Sequence, residues 1–150
     1  MQVTEFLDQA GVNYEICEHI PVFSAQGLAA IEHEHGKYVA KPVIVKADNR
    51  YIMCVLPAPR KVDLRRLKEQ LDAESVELAD EDEIGALFPD CELGAEPPFG
   101  NLYELSTVIE KSLEADDHIL FQAGTHGKAL RMSMADYRAV VHPKVLEFTF

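Results

Sequence analysis

The sequence predicts a mixed α+β fold, and three observations favour it. Segments with helical spacing of apolar residues alternate with short β-branched runs, without a regular β-α-β rhythm. Two long apolar runs, 38–46 and 51–57, are separated by four residues with turn chemistry, which indicates a hairpin. With 150 residues, 47% of them hydrophobic, the chain suits one domain spanning 1–150 with its own core.

The first part of the chain predicts two helices around a short strand, followed by the hairpin. An opening helix ends at Gly11, a residue that readily closes helices, and a strand follows at 13–17. Ser24 caps a second helix, which Gly36 ends. The apolar stripe of this helix comprises Leu28, Ile31 and His35. Both hairpin strands are apolar on both faces, so we expect them at the centre of the sheet.

Two more helices and a strand are predicted before the chain becomes irregular. Asp63 caps a helix, a short strand covers 75–78, and Asp80 opens the next helix. The inward-facing residues are Leu64, Leu67 and Leu71 in one helix and Ile84, Leu87 and Phe88 in the other. The stretch 89–100, "PDCELGAEPPFG", has three prolines and two glycines, so we expect a shaped loop there.

The last third of the chain predicts strands and one final helix. "STVIE" and "HILFQAG" are typical of strands, "THG" of a turn, and "KALRMSM" alternates in the manner of another strand. Ser133 caps a helix that ends before Pro143, and "VLEFTF" is predicted as a closing strand.

Charge is segregated along the chain, with a formal net charge of −12. Thirteen acids and no Lys or Arg lie between Glu69 and Glu110, whereas Lys37 to Lys68 holds nine of the 14 basic residues. The total argues against broad, nonspecific binding to nucleic acid, which depends on cations displacing counterions from phosphates. Solvated faces account for both runs, and a local phosphate-binding edge is the alternative.

Several classes of protein and site are set aside. No apolar run approaches the ~20 residues of a membrane span, and the N-terminus has no signal-type segment, so we expect a cytoplasmic protein. The three cysteines form no CxxC pair, and residues two apart in "EHEH", 32–35, lie on different sides of a helix. No nucleophile elbow, nucleotide loop or zinc signature occurs, so we expect no metal, cofactor or protein nucleophile.

Three segments remain as candidates for function. They are Lys41 beside a buried strand, "GAEPPFG" at 94–100, and "AGTHG" at 123–127. Glycine loops allow backbone N–H groups to converge on a carbonyl or anionic oxygen, so the three segments together suit polarisation of an ester. Each segment also has an ordinary interpretation, as a lysine that reaches solvent, a crossover and a hairpin turn.

The order of motifs resembles the YbaK/prolyl-tRNA synthetase-associated domain family of aminoacyl-tRNA deacylases. The matching segments cover nearly the whole chain: "EHIPVFSAQGLA", "VAKPVIVK", "YIMCVLPA", "VDLRRLKEQL", the G-x-x-x-P of Gly94 to Pro98, and "FQAGTHGKALRM". The resemblance implies a mixed, barrel-like β-sheet flanked by helices. It also implies a free-standing enzyme that hydrolyses the ester between a mischarged amino acid and the terminal adenosine of tRNA.

The resemblance assigns roles to particular residues. Lys41, rather than Lys46, matches the family's functional lysine and would act as a cationic donor with the backbone at Gly94. His126, a looser match, is a candidate for orienting water or for contacting the substrate. The expected substrate-binding residues are Pro98, Phe99, Gly100, Gly124 and Thr125. The residues expected to reach phosphates of the acceptor end are Arg60, Lys61, Arg65 and Arg66.

Two features depart from this expectation, and two other functions compete with it. Many relatives have a small polar residue where this chain has Pro42, and the acidic bias is strong for a tRNA enzyme. One alternative is a noncatalytic module of the same fold that binds a synthetase, an amino-acid-like ligand or nucleic acid. The other is a hydrolase of small acyl esters. For the editing enzyme, the expected partners are the acceptor end of aminoacyl-tRNA and an aminoacyl-tRNA synthetase. We expect it to bind neither a membrane nor DNA.

Overall fold

The computed structural model describes all residues from Met1 to Phe150 and contains eight strands, six α-helices and two short 3-10 helices, Gly36–Tyr38 and Gly100–Tyr103. The helices are α1 Val3–Ala10, α2 Ala25–Ile31, α3 Leu64–Leu71, α4 Glu81–Leu87, α5 Lys111–Glu114 and α6 Met134–Val141. The strands are β1 Glu15–Glu18, β2 Ala40–Ala47, β3 Arg50–Pro57, β4 Val76–Leu78, β5 Ser106–Glu110, β6 His118–Gln122, β7 Lys128–Ser133 and β8 Lys144–Leu146. None of the helices combines the length and apolar character needed to cross a membrane.

The strands form two sheets, which confirms the mixed α+β prediction. The larger sheet has the order β4-β2-β3-β5-β8 and combines antiparallel and parallel pairs, whereas the smaller sheet, β1-β7-β6, is antiparallel. A single parallel bridge between Val39 and Leu120 connects the two sheets. The sheets therefore do not close into a barrel.

The predicted hairpin lies inside the larger sheet. Strands β2 and β3 pair from Ala40 opposite Pro57 to Ala47 opposite Arg50. Asp48 and Asn49 form the turn with φ angles of 48° and 69°, a left-handed conformation that Asp and Asn tolerate better than most residues. Because β4 and β5 pair with its outer edges, the hairpin is central, as predicted.

The residues predicted to cap helices do so. Gly11 ends α1 with a φ of 72°, and the side chains of Ser24, Asp63, Asp80 and Ser133 each accept a backbone N–H in the first turn of a helix. At Asp80 the cap is reciprocal, since Glu83 also accepts the Asp80 amide. These local bonds explain why the starts of helices were predictable from sequence.

The main core lies between the two sheets. Ile44 and Val55 from the larger sheet pack in one cluster with Phe121 and Leu130 from the smaller sheet, and α1 adds Leu7. A second cluster covers the opposite face of the larger sheet, where α3 packs Leu67 against that face. Burial on both faces explains the continuous apolar runs of the hairpin strands.

The predicted extent of the second helix was wrong. Helix α2 ends at Ile31, and His33 has a φ of 54°, so the chain leaves the helix before His35. His35 instead caps the 3-10 helix Gly36–Tyr38, where its Nδ1 accepts the Lys37 amide. The stripe predicted from Leu28 to His35 therefore extends only to Ile31.

The end of the chain also differs from the prediction of a long closing strand. Only Lys144–Leu146 pairs as β8, because the buried carboxylate of Glu110 accepts the amides of Phe148 and Thr149 at 2.9 and 3.2 Å. Burial alone would raise the pKa of Glu110, but these N–H donors and that of Ser112 outweigh it and lower the pKa. The short helix α5, four residues long, had no periodic signal that would predict it.

Candidate functional site

A cavity of about 380 Å³ opens where β2 begins, beside the start of α2, the loop at 93–96 and the end of β6. Its walls are mainly apolar, with Leu28, Val39 and Ile44 among them. Three ionic or amide side chains that are at least half-buried also line it: Lys41, Glu96 and Gln122. An apolar cavity with a few polar groups is the usual form of a site for small organic groups.

Lys41 lies in this cavity, as one of the residues predicted to carry function. Its side chain is half-buried, and its Nζ donates a hydrogen bond to the carbonyl oxygen of Ala58 at 2.9 Å. Burial lowers the pKa of Lys41, and the nearby positive charge of Lys61 lowers it further. An ammonium has three N–H donors, so two remain for a ligand oxygen.

Lys46 occupies a different environment at the far end of β2. Its Nζ lies 5.8 Å from the centre of the Tyr51 ring, and the residue pairs across the sheet edge with Glu77. It does not line the cavity. The two lysines of the same strand are therefore separated into a cavity lysine and a strand-end lysine.

The loop containing Gly94 forms one wall, but its own amide is already used. Gly94 has a φ of 88°, and its N–H donates to Glu96 Oε1 at 3.2 Å, while the next amide, that of Ala95, donates to the Glu92 carbonyl. The backbone amide of Gly94 is therefore not the free donor that the sequence predicts. Among the backbone amides of residues 94–100, that of Glu96 is the one that donates to no acceptor in the protein.

Gly124 supports that loop from behind. Its amide donates to the Ala95 carbonyl at 2.8 Å, and its carbonyl accepts the Glu92 amide at 2.8 Å. Gly124 has a φ of 95°, which favours glycine at this position. Neither Gly124 nor the exposed Thr125 lines the cavity.

His126 connects two loops rather than facing the cavity. The ring is buried, with Nε2 at 2.8 Å from the Leu93 carbonyl oxygen and Nδ1 at 3.1 Å from that of Val22. Its ring centre is also 4.6 Å from that of Phe23. With both nitrogens against carbonyl oxygens, the ring has no free position for the water that it was expected to orient.

Three residues expected to contact substrate are directed into the core instead. Phe99 is fully buried and packs against Phe121 and Tyr137, and the Pro98 carbonyl accepts a hydrogen bond from the Tyr137 hydroxyl at 2.5 Å. A Cβ on Gly100 would lie 2.4 Å from Thr107 Oγ1, so this position accepts only glycine. None of Pro98, Phe99 and Gly100 lines the cavity, because the loop turns them into the core.

The four basic residues expected to contact tRNA are all exposed, but two of them are engaged. Arg60 donates to Thr149 and Phe150, and Arg66 donates to the Thr149 carbonyl at 2.9 Å, so both hold the end of the chain. Arg65 has only a weak surface pair with Glu69 at 3.7 Å. Arg65 and Lys61 are therefore the freer cations, and Lys61 lies near enough to Lys41 to affect its pKa.

Sequence reasoning missed Glu96, Gln122 and Phe23. Glu96 lies inside the quoted loop and Gln122 ends an apolar strand, so a polar residue in an otherwise apolar or proline-rich segment was the available signal. Three exposed apolar residues lie on the cavity wall: Phe23, Leu78 and Leu93. Phe23 is the most exposed of them, at 75%. No group of His, Cys, Asp and Glu side chains is placed to hold a metal ion.

Comparisons with known proteins agree with one another. Residues 19–140 match the family described as the aminoacyl-tRNA editing domain. The chain is 27% identical over 147 residues to the multifunctional Ser/Thr-tRNA deacylase ProXp-y of Escherichia coli strain K12, covering 95% of this chain and 87% of that protein. It is 23% identical over 141 residues to the prolyl-tRNA editing protein ProX of Acetoanaerobium sticklandii, covering 90% and 85%.

A solved structure shows the same fold. The crystal structure of the hypothetical protein APE2540 superposes with a TM-score of 0.90 over the full length of both chains, at 18% sequence identity. At that identity the similarity concerns the fold alone. The arrangement of two sheets is therefore shared with that protein.

Proposed function

The chain belongs to the aminoacyl-tRNA editing domain family, and from that premise we propose that it is a trans-editing deacylase that hydrolyses the ester of mischarged aminoacyl-tRNA. The observation that carries the site assignment is Lys41, a half-buried lysine in an apolar cavity with a lowered pKa and N–H donors left for a ligand. The whole chain acts as one editing domain, because α1, which precedes the matched residues, packs Leu7 into the main core. We propose a cytoplasmic location, because aminoacyl-tRNA is used there.

The reaction needs no protein nucleophile. Water attacks the acyl carbon, negative charge develops on the carbonyl oxygen, and the bond to the ribose oxygen breaks as that oxygen takes a proton from the water. Lys41 stabilises the developing charge, and the unused amide of Glu96 is the remaining backbone donor within residues 94–100. Burial raises the pKa of Cys54 to about 12 and that of Cys91 to about 11, so neither thiol ionises readily to act as a nucleophile.

The supporting residues keep the cavity in shape. His126 ties the loop that bears Phe23 to the loop that bears Gly94, and Gly124 holds the second loop from behind. The exposed Phe23 ring at the cavity wall suits stacking against the terminal adenine, since aromatic rings bind bases through their faces. Pro98, Phe99 and Gly100 anchor the loop that bears Gly94 to the core, and they affect the reaction by holding that loop in position.

A deacylation panel tests the function. The parent protein should accelerate release of the amino acid from at least one of four tRNAs, charged with serine, threonine, alanine or cysteine. It should not accelerate release of proline from correctly charged prolyl-tRNA. Release is measured from labelled amino acid against hydrolysis without enzyme. Rates equal to the uncatalysed rate on every tRNA would contradict an editing enzyme and favour a noncatalytic module.

A second experiment tests whether tRNA phosphates contact the basic segment. Lys61→Glu with Arg65→Glu should raise the KM for aminoacyl-tRNA and reduce the slope of log KM against log salt by about one to two, since each lost phosphate contact removes about one unit. Cleavage of a minimal aminoacyl-adenosine ester should change little when it is measured at a pH where Lys41 is charged in both proteins, because Lys61 also affects the pKa of Lys41. Arg66 is left intact because it holds the Thr149 carbonyl.

The matched control reverses two exposed cations elsewhere. Arg50→Glu with Lys144→Glu changes the net charge equally, but both residues lie outside the cavity and line a separate surface depression. This control should retain the parent's salt dependence. Equal losses in the two double variants would mean that total charge, rather than the segment near the cavity, determines binding.

A further inference from the structure

Glu96 is a buried acid in the cavity that the hydrolysis of an ester does not itself require. The residue is 7% exposed, and its Oε1 accepts the Gly94 amide at 3.2 Å. Its Oε2 receives no hydrogen bond from the protein, and neither oxygen forms an ion pair. A carboxylate in such a place is stabilised when a cationic donor binds to it.

Gln122 provides an independent sign of a missing donor. The residue is 8% exposed and lines the same cavity, and its Nε2 donates to the Val22 carbonyl at 3.1 Å. Because that acceptor requires the amide nitrogen, the orientation of the side chain is fixed, and Oε1 is buried without any hydrogen-bond partner. An unpaired buried acceptor is costly, so a bound group that donates to it gains affinity.

We propose that Glu96 and Gln122 form a subsite for the α-ammonium group of the aminoacyl ester. This inference rests on the proposed function and adds how the acyl group is recognised. An α-ammonium carries one positive charge and three N–H donors, which suit one carboxylate oxygen and one amide oxygen. Lys41 lines the cavity without forming an ion pair to Glu96, so the lysine is free for the ester carbonyl while the acid holds the amine.

The arrangement orients the substrate between opposite charges. The ammonium is held by Glu96 and kept away from Lys41, which repels it, and the carbonyl oxygen is directed towards Lys41. An acyl group without the amine lacks the charge that Glu96 requires. The subsite therefore selects esters of free amino acids over deaminated acyl esters, and this selection is separate from the choice among amino acid side chains.

Binding of an inert analogue pair tests this proposal without relying on turnover. The first probe is 3′-deoxy-3′-(serylamino)adenosine, in which an amide replaces the ester, and the second carries a hydroxyl in place of the α-amine. The parent should bind the amine about 10- to 100-fold more tightly than the hydroxyl compound, the ratio expected for hydrogen bonds to a charged group. Dissociation constants are measured by titration calorimetry near pH 6.5, where the α-amine is charged.

Variants assign the preference to residues. Glu96→Gln should reduce the preference at least about fivefold by weakening the amine compound alone, and Gln122→Met should reduce it less, since a neutral hydrogen bond is weaker. Glu77→Gln, which removes an exposed acid on the neighbouring edge strand β4, should leave the preference unchanged. If Gln122→Met does not fold, the affinities of Glu96→Gln for the two probes decide whether the preference belongs to this subsite.

The outcomes separate this inference from the proposed function. Equal affinity of the parent for the two probes, or a preference that survives Glu96→Gln, would overturn the subsite even if the protein deacylates tRNA. Weak or absent binding of both probes would overturn it as well. A preference that depends on Glu96, found in a protein that hydrolyses none of the charged tRNAs, would support the subsite and refute the deacylase.

Discussion

Lys41→Ala is expected to lower kcat for deacylation by about 100- to 1,000-fold while the protein stays folded, since this is the usual effect of removing a group that stabilises a developing oxyanion. The side chain is only half-buried and its one hydrogen bond within the protein is to the Ala58 carbonyl, so its loss leaves the core intact. Single-turnover rates and thermal unfolding of the same preparations provide the measurement.

Lys46→Ala is the matched control on the same strand. Its Nζ lies over the Tyr51 ring and outside the cavity, so this variant should stay within about twofold of the parent, as surface substitutions usually do. Equal activity of the two variants would refute the assignment of Lys41. Parallel loss of stability and rate in Lys41→Ala would indicate a structural lysine instead.

The pH dependence provides a signature of Lys41 that a structural role would not produce. If the charged lysine acts, the enzymatic part of the rate falls as pH rises through the lysine pKa, which burial and Lys61 hold below its ordinary value of 10.5. Lys61→Gln removes the repulsion, so the fall should move to higher pH. Rates on a minimal aminoacyl-adenosine ester, corrected for spontaneous hydrolysis, avoid any effect on tRNA binding.

Gly94→Val is expected to lower kcat/KM by about tenfold or more and to destabilise the protein by only about 1–3 kcal/mol, the strain of a non-glycine residue held in a rare conformation. Gly94 has a φ of 88°, and an added Cβ would lie 3.4 Å from His126 Cε1. A β-branched residue relieves this strain by moving the loop. Since that loop bears Glu96, the movement displaces the cavity wall.

The comparison of rate with stability tests this interpretation. Gly85→Ala is the control, because a Cβ at Gly85 meets nothing within 4 Å and alanine favours a helix. It should preserve both activity and melting temperature. A melting temperature that collapses in Gly94→Val together with the rate would show that the loop supports the fold, and its catalytic assignment would lose its basis.

Local signals were sufficient for much of the fold. The left-handed turn at Asp48 and Asn49, and caps such as Ser24 and Asp80, depend on neighbours in sequence, so the residues themselves predicted the boundaries. The end of α2 was missed because a left-handed His33 interrupts an apolar stripe that continues in sequence. The shortened last strand depends on Glu110, about 38 residues earlier in the chain, which no local pattern contains.

Part of the candidate site was also predictable from the sequence. Lys41 and the Gly94 loop were identified by motif order, and the structure brings them to one cavity. Both ring nitrogens of His126 face carbonyl oxygens from two distant loops, and Phe99 is buried in the core, which no local pattern in the sequence shows. Glu96 and Gln122 become candidates only in the tertiary fold, which places an acid without an ion pair and an unpaired amide oxygen in the cavity that Lys41 also lines.

A crystal structure of the protein with 3′-deoxy-3′-(serylamino)adenosine tests the central claim most directly. The account predicts that the seryl group lies in the cavity of about 380 Å³, with its carbonyl oxygen at hydrogen-bond distance from Lys41 Nζ, roughly 2.7–3.2 Å. The adenine should lie at the rim near Phe23. A seryl group bound elsewhere, or a carbonyl directed away from Lys41, would contradict the assignment of this cavity as the deacylation site.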